Sequence, residues 1–226
     1  MNNSIIQGDC LDILPTLPTE SVGLVVTDPP YLVRYRDRSG RTVRNDDNPG
    51  VLAAFTDIYR LLKPDSLCIS FYGWNSVDAF FAAWRGAGFR PVGHIVWPKD
   101  YASSRRYLQA CHEQAYLLAK GTPRIPAEPV KDVQSWEYTG NRAHPTEKAV
   151  SVLKPLISCF SSPGDLVLDP FAGSGSACVA AALSGRRYLG IELEARYCEH
   201  ARRRLAGVSR CLDRQTQAGG CHRRTV

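Results

Sequence analysis

A single α/β domain on an open, doubly wound, mainly parallel Rossmann-like sheet is the fold this sequence predicts, and three observations carry the expectation. Short β-rich apolar runs alternate with stretches of helical periodicity, the pattern of strands joined by crossover helices. Two of those runs end in carboxylates, Asp28 and Asp169, and break directly into a proline turn and a glycine loop. The chain has 226 residues, enough for one full hydrophobic core, and no apolar run approaches the about 20 residues of a membrane span.

Strands are expected near Ile5 and over Val22 to Thr27, Leu67 to Tyr72, Gly93 to Trp97, Gln114 to Ala119, Val167 to Asp169 and Tyr188 to Glu192. Each is a short apolar run, and the one over Val22 to Thr27 is both too short for a typical helix and stopped by two prolines. Helices are expected over Val51 to Leu62, Val77 to Ala87, Thr146 to Phe160, Ser176 to Leu183 and Glu194 to Leu205, with Arg202, Arg203 and Arg204 ending the last. The Gly/Gln/Thr-rich stretch after Ala206 reads as disordered. The chain thus divides into a domain over 1–206 and a basic tail over 207–226.

Val22-Gly-Leu-Val-Val-Thr27 runs into Asp28-Pro29-Pro30-Tyr31. Asp28 therefore stands at a strand's carboxyl end, where an open α/β sheet leaves its crevice for ligands, and Asp28 and Tyr31 project into a site. The plainer alternative is a strand and proline turn in which Asp28 is only a cap. Far downstream, Asp165-Leu-Val-Leu-Asp169 runs into Pro170-Phe171-Ala-Gly173-Ser-Gly175-Ser and an Ala-rich helical stretch. Glycines there let the backbone approach a ligand at a strand-to-helix turn.

Two commoner glycine loops fail the comparison. A P-loop needs Gly-Lys-Ser/Thr, but Ser176 and Ala177 follow Gly175, and a dinucleotide fingerprint needs a third glycine where Cys178 stands. The next strand does end in an acid, Glu192, about twenty residues beyond the loop, where a carboxylate receives a ribose diol or, more plainly, caps the following helix. A nucleoside without a phosphate cradle suits S-adenosylmethionine. For both sites to function, the strands ending at Asp28 and Asp169 must be neighbours, although about 140 residues separate them.

Together these motifs resemble the family of amino-methylating DNA methyltransferases, which modify the exocyclic nitrogen of adenine or cytosine, in the circularly permuted order that puts the catalytic tetrapeptide ahead of the cofactor loop. The resemblance covers most of residues 4 to 205 and includes Gly8-Asp9-Cys-Leu-Asp12, His112-Glu113, His144-Pro-Thr-Glu-Lys148 and Gly190-Ile-Glu192 with Tyr197. Ala149 stands where the family usually has proline, and Ser176 where it often has threonine. The resemblance implies S-adenosylmethionine as cofactor and double-stranded DNA as partner. It implies catalytic roles for Asp28, Pro29, Pro30 and Tyr31. Cofactor contacts are implied for Asp9, Asp169, Pro170, Phe171, Gly173, Gly175 and Glu192, with Thr146 and Lys148 closing over the methionine end. The family's adenine enzymes usually carry Asp first in the tetrapeptide and many cytosine enzymes carry Ser, so Asp28 favours N6 of adenine over N4 of cytosine. Relatives acting on RNA or protein glutamine usually begin it with Asn. A silent DNA-binding or cofactor-sensing module is disfavoured because both acids and both loop glycines are intact.

An exocyclic amino group is a poor nucleophile because its lone pair is delocalised into the ring. If the Asp28 carboxylate and the Pro29 carbonyl accept its two hydrogens, the nitrogen is drawn towards tetrahedral geometry and the sulfonium methyl transfers in line, with no covalent enzyme intermediate. The base must first leave the duplex, and Tyr31 is placed to stack on it. Methylation at a cytosine ring carbon needs a cysteine that in that family follows proline, and the chain has no Pro-Cys dipeptide.

The formal charge of +6 lies wholly in the tail: residues 1–200 hold 21 Lys/Arg and 21 Asp/Glu, and residues 201–226 hold seven arginines against Asp213. Such a tail either touches phosphates or merely solubilises. Local DNA contacts are expected from a loop over 32–48 carrying Arg34, Arg36, Arg38, Arg41 and Arg44, or else that loop is simply solvated. The family resemblance implies a target-recognition region within 98–142, which holds Arg105 and Arg106. Eight scattered cysteines with no Cys-x-x-Cys pair read as reduced, packed thiols and no metal site. No basic segment followed by a long apolar one opens the chain, so the expected location is cytoplasmic. Such an enzyme works as a monomer or homodimer, with or without a restriction endonuclease partner.

Overall fold

A computed structural model describes residues 3–33, 40, 42, 45–105, 107–140 and 147–220. Strands β1 (Ser4–Gln7), β2 (Val22–Thr27), β3 (Leu62–Phe71), β4 (Arg90–Pro98), β5 (His112–Lys120), β6 (Leu166–Asp169) and β7 (Arg187–Glu192) form one sheet in the order β1-β7-β6-β2-β3-β5-β4. Neighbours are parallel except around β5, which runs antiparallel to β3 and β4. β4 therefore points the same way as β2 and β3. β2 and β6 are buried at every residue, as near-continuous apolar strands covered on both faces must be. β4, which contains Pro91 and Gly93, lies at the sheet's edge, where a missing donor and a missing side chain are tolerated.

The helices are α1 (Cys10–Ile13), α2 (Ala54–Leu61), α3 (Val77–Ala87), α4 (Val150–Phe160), α5 (Ser176–Leu183) and α6 (Ala195–Gly220). Strand alternation sorts the core into two layers. Val22, Val25 and Cys68 pack with Phe55, Ile58, Phe80 and Trp84 of α2 and α3. Leu24, Val26, Ile69 and Phe71 pack on the other face with Leu153, Leu156 and Ile157 of α4 and Ala177, Ala180 and Ala181 of α5. A third cluster joins Ile5 of β1 to Val179 of α5 and to Cys198, Ala201 and Leu205 of α6. Cys10, Cys68, Cys178 and Cys198 are buried thiols, as the scattered spacing suggested. Among the described residues no helix is long and apolar enough to cross a membrane.

Several boundaries differ from the sequence reading, α4 for one starting at Val150 rather than Thr146, and three differences have a local cause. β3 opens at Leu62 rather than Leu67, because Leu62 already pairs with Val22; Lys63-Pro64-Asp65, with Asp65 at a φ of 56°, bulges out before pairing with β2 resumes at Leu67 opposite Leu24. The helix expected from Val51 starts as a 3₁₀ turn over Pro49–Ala53, where Pro49 presets the first φ and the Asn48 side chain accepts from Gly50 N at 2.9 Å. The stretch after Ala206, expected to be disordered, continues α6 to Gly220. Arg, Leu, Ala and Gln are good helix formers and a glycine such as Gly207 costs only about 1 kcal/mol. Val208 packs on the Ile5 cluster, and Ser209 Oγ donates to the Leu205 carbonyl at 3.2 Å. Residues 221–226 of the tail lie outside the described residues.

β2 and β6 are paired as the two motifs required, with Leu24 opposite Val167 and Val25 opposite Leu168. From β2 the sheet grows towards β3 and from β6 towards β7. The crevice between them is a topological switch point, and Asp28 and Asp169 leave the sheet on its two sides.

Candidate active site

A cavity of about 110 Å³ opens at that edge, lined by Asp9, Asp28, Pro29, Pro30, Tyr31, Pro170, Phe171, Gly173 and Glu192 among others. A smaller one of about 50 Å³ shares Asp28, Phe171 and Gly173 and adds Thr27, Glu147, Lys148, Asp169 and Ser174. Residues from both distant motifs are thus brought to one place.

In the tetrapeptide, the Tyr31 hydroxyl donates to Asp28 Oδ1 at 2.7 Å and Lys148 Nζ donates to Asp28 Oδ2 at 2.6 Å. The ammonium also lies 4.8 Å from the centre of the Phe71 ring and 5.8 Å from that of Tyr31. Burial, and then the charge of Asp28, push the Tyr31 phenol up, so it stays protonated and a donor. Burial works against the Lys148 charge, but Asp28 and Glu113 outweigh it and raise its pKa above the ordinary value. Lys148, expected against the cofactor, is held here on the Asp28 carboxylate. The turn after Tyr31 is pinned by Asp46, a buried acid inside the loop read as DNA-contacting, whose Oδ1 accepts from Leu32 N at 2.8 Å. Gly73, just past β3, abuts Tyr31 so closely that a Cβ there would stand 2.9 Å from Tyr31 Cβ. The next residue, Trp74, is an exposed aromatic at this rim that the sequence reading passed over.

On the other side, Glu192 accepts from Gly173 N at 2.9 Å and from Glu194 N at 2.7 Å, so one carboxylate both braces the loop and caps the start of α6. The capping reading of this acid is the one these contacts meet. Gly8 N donates to the Glu192 carbonyl at 2.9 Å, which seats Asp9 beside it as the N-cap of α1. Gly175 lines neither cavity; its φ of 80° and the 2.8 Å from its would-be Cβ to Ala201 Cβ show that glycine is needed there for the turn and for α6 to approach. Arg204 of α6 was read only as a helix terminator. Its Nη1 donates to the Ser174 carbonyl at 2.8 Å and to Ser176 Oγ at 3.1 Å, and pairs with Glu147 at 3.2 Å, tying α6 to the glycine loop and to the segment before Lys148.

The donor set fits a cation that also carries a diol. Asp169 is a buried acid and Glu192 a half-buried one, and Thr27 Oγ1, buried at the smaller cavity, has no hydrogen-bond partner among the described residues. Burial first, then Asp28 and Glu192, push Asp169 up to about 8. Since the folded form holds a proton that the unfolded carboxyl releases near its ordinary value, this group makes stability fall as pH rises from about 4 to 8. Urea unfolding at pH 5 and pH 8 is expected to show a larger loss for the wild type than for Asp169→Asn. A cation bound beside Asp169 lowers its pKa again, so cofactor binding near pH 7 releases a proton, read by titration calorimetry in buffers of different ionisation enthalpy.

Arg34, Arg36, Arg38, Arg41, Arg44, Arg106 and Thr146 lie outside the described residues. Arg105 is exposed on a small hairpin between β4 and β5.

Residues 22–203 match the N6/N4 DNA methylase family, and the chain belongs to it. YubD of Escherichia coli (strain K12), a protein named as a methylase, is 54% identical over 208 residues, covering 92% of each chain. Among solved structures, TTHA0409 of Thermus thermophilus, complexed with S-adenosyl-L-methionine, is 25% identical with a TM-score of 0.70, covering 91% of this chain and 94% of that one. The cytosine-N4-specific PvuII DNA methyltransferase has the same fold, with 18% identity, a TM-score of 0.72 and coverage of 90% of this chain and 86% of that one.

Proposed function

We propose that the protein transfers a methyl group from S-adenosylmethionine to N6 of an adenine flipped out of duplex DNA. The observation that supports this reading best is the placement of Asp28 and Tyr31 across the switch-point crevice from Asp169, Gly173 and Glu192. The cofactor is S-adenosylmethionine, the ligand that TTHA0409 holds in this fold. When bound, it supplies an electrophilic methyl group on a sulfonium. Glu192 and Asp9 would hold its nucleoside, and the loop from Asp169 to Gly173, with Thr27, its methionine end. Tyr31 and Lys148 occupy one lone-pair direction on each oxygen of Asp28, and each oxygen has a second, so the carboxylate can accept an amino hydrogen without releasing either. The Pro29 carbonyl takes the other hydrogen. Arg34 to Arg44 and Arg105 contact phosphates in this reading.

N4 of cytosine is the second reading, because the same acceptors serve either amino group and PvuII methyltransferase, with this fold, is cytosine-N4-specific. The first position of the tetrapeptide, Asp28, favours adenine. Incubation with unmethylated duplex DNA and methyl-labelled cofactor, followed by nucleoside digestion and mass spectrometry, tests the choice. N6-methyladenine is expected; N4-methylcytosine would overturn the base but keep the chemistry, and no modified nucleoside would remove the function.

A further inference from the structure

β4 leaves the sheet at Pro98, on the same edge as Asp28, and the chain returns at His112 through a hairpin. Ser103 N donates to the Ala110 carbonyl at 2.8 Å, Ala110 N donates to the Ser104 carbonyl at 3.0 Å, and Arg105 bridges Gln109. At the tip, Tyr107 is fully exposed and Leu108 is 83% exposed. Two adjacent large apolar side chains in water gain nothing for the fold.

The root of the hairpin is as fixed as its tip is bare. Lys99, with its side chain buried, donates to Glu113 Oε1 at 2.7 Å and to Ser103 Oγ, and its backbone N donates to the Cys111 carbonyl at 2.7 Å. Its ammonium is also covered by the rings of Tyr101 and Trp136, at 5.5 and 5.9 Å. Glu113 lies two residues along β5 from Ala115, which pairs with Phe71, the ring under the Lys148 ammonium. The hairpin is thereby anchored one side chain away from the catalytic carboxylate's partner.

We propose that the Tyr107–Leu108 tip is the wedge that enters the base stack of duplex DNA at the target and stabilises the extruded base, a role that rests on the DNA reading above. Apolar side chains inserted at a base step offset the lost stacking, and an aromatic ring replaces part of it. Anchoring through Lys99 and Glu113 holds the wedge at a set distance from Asp28 and Tyr31, so the opened step is the one whose base reaches them. Arg105 at its flank suits the neighbouring phosphates.

The test is the double variant Tyr107→Ser/Leu108→Ser, whose exposed positions leave folding unchanged, checked by thermal unfolding. Sequencing of methylated plasmid treated with wild type locates the target. Methyl transfer is then compared on an oligonucleotide duplex of that sequence and on the same duplex lacking the base opposite the target, where extrusion is already easy. The expected result is a loss of kcat/KM of at least about tenfold on the intact duplex, recovered to near wild type on the abasic one. No loss, or an equal loss on both duplexes, overturns the wedge, since the tip would then be idle or a mere surface contact. Wild-type protein that leaves every duplex unmodified removes the DNA reading and the wedge with it.

Discussion

Asp28→Ala is expected to lower methyl transfer on the order of 10³-fold while leaving S-adenosylmethionine binding nearly unchanged. In the proposed mechanism the carboxylate is the acceptor that makes the amino lone pair available, whereas the groups assigned to the cofactor's nucleoside are Asp9, just past β1, and Glu192, at the end of β7. The same variant carries a cost in stability. Its partner ammonium on Lys148 is 8% exposed, and leaving such a charge unpaired costs about 3–5 kcal/mol. Asp28→Ala/Lys148→Met removes both charges together and is expected to regain most of the urea midpoint without regaining activity. Labelled-methyl transfer, equilibrium dialysis with cofactor and urea unfolding separate the three effects. Turnover surviving in the double variant would sink the proposed role of Asp28.

Glu192→Ala is expected to act on binding rather than turnover. A carboxylate receiving two hydroxyls of a ribose makes charge-assisted hydrogen bonds, and losing them weakens the cofactor on the order of 100-fold. Part of that loss comes from the protein itself, because Glu192 also holds Gly173 N and Glu194 N. Glu192→Gln keeps one acceptor and the shape of the brace, so it should fall between wild type and alanine. At saturating cofactor both variants should approach wild-type kcat. A lowered kcat with unchanged affinity in calorimetry would move Glu192 away from the ribose.

The strands and the two motif loops were legible in the sequence because their signals are local. Val22 to Thr27 is apolar throughout, stops at two prolines, and is found with those bounds. The pairing of β2 with β6 was legible only through function, since both carboxylates had to reach one crevice. The hold of Lys148 on Asp28 was not legible, because the two stand 120 positions apart and neither residue type calls for the other. The same is true of Arg204, whose place in an arginine run at a helix end suggested only solvation, and of Asp46, which looks like one more polar residue in a basic loop. Charged residues written in polar segments carry no sign of facing inward. The extension of α6 was missed because Gly207 and the glutamines of the tail weigh towards disorder when composition alone is considered.

β1 pairs with β7, Ser4 opposite Leu189 and Ile6 opposite Ile191. During synthesis the first strand therefore has no neighbour until the last one has been made. At about 5–20 residues per second that is a delay of roughly 10–40 s in which Ile5 and Ile6 are uncovered on the nascent chain. The nucleoside end of the site, with Asp9 beside Glu192, and the Arg204 tie to the glycine loop can only be completed once β7 and α6 have emerged. A nascent chain in which β7 and α6 are still within the ribosome should accordingly be unable to hold its cofactor, and a sheet closed by its two sequence-distant strands should fold slowly for its size.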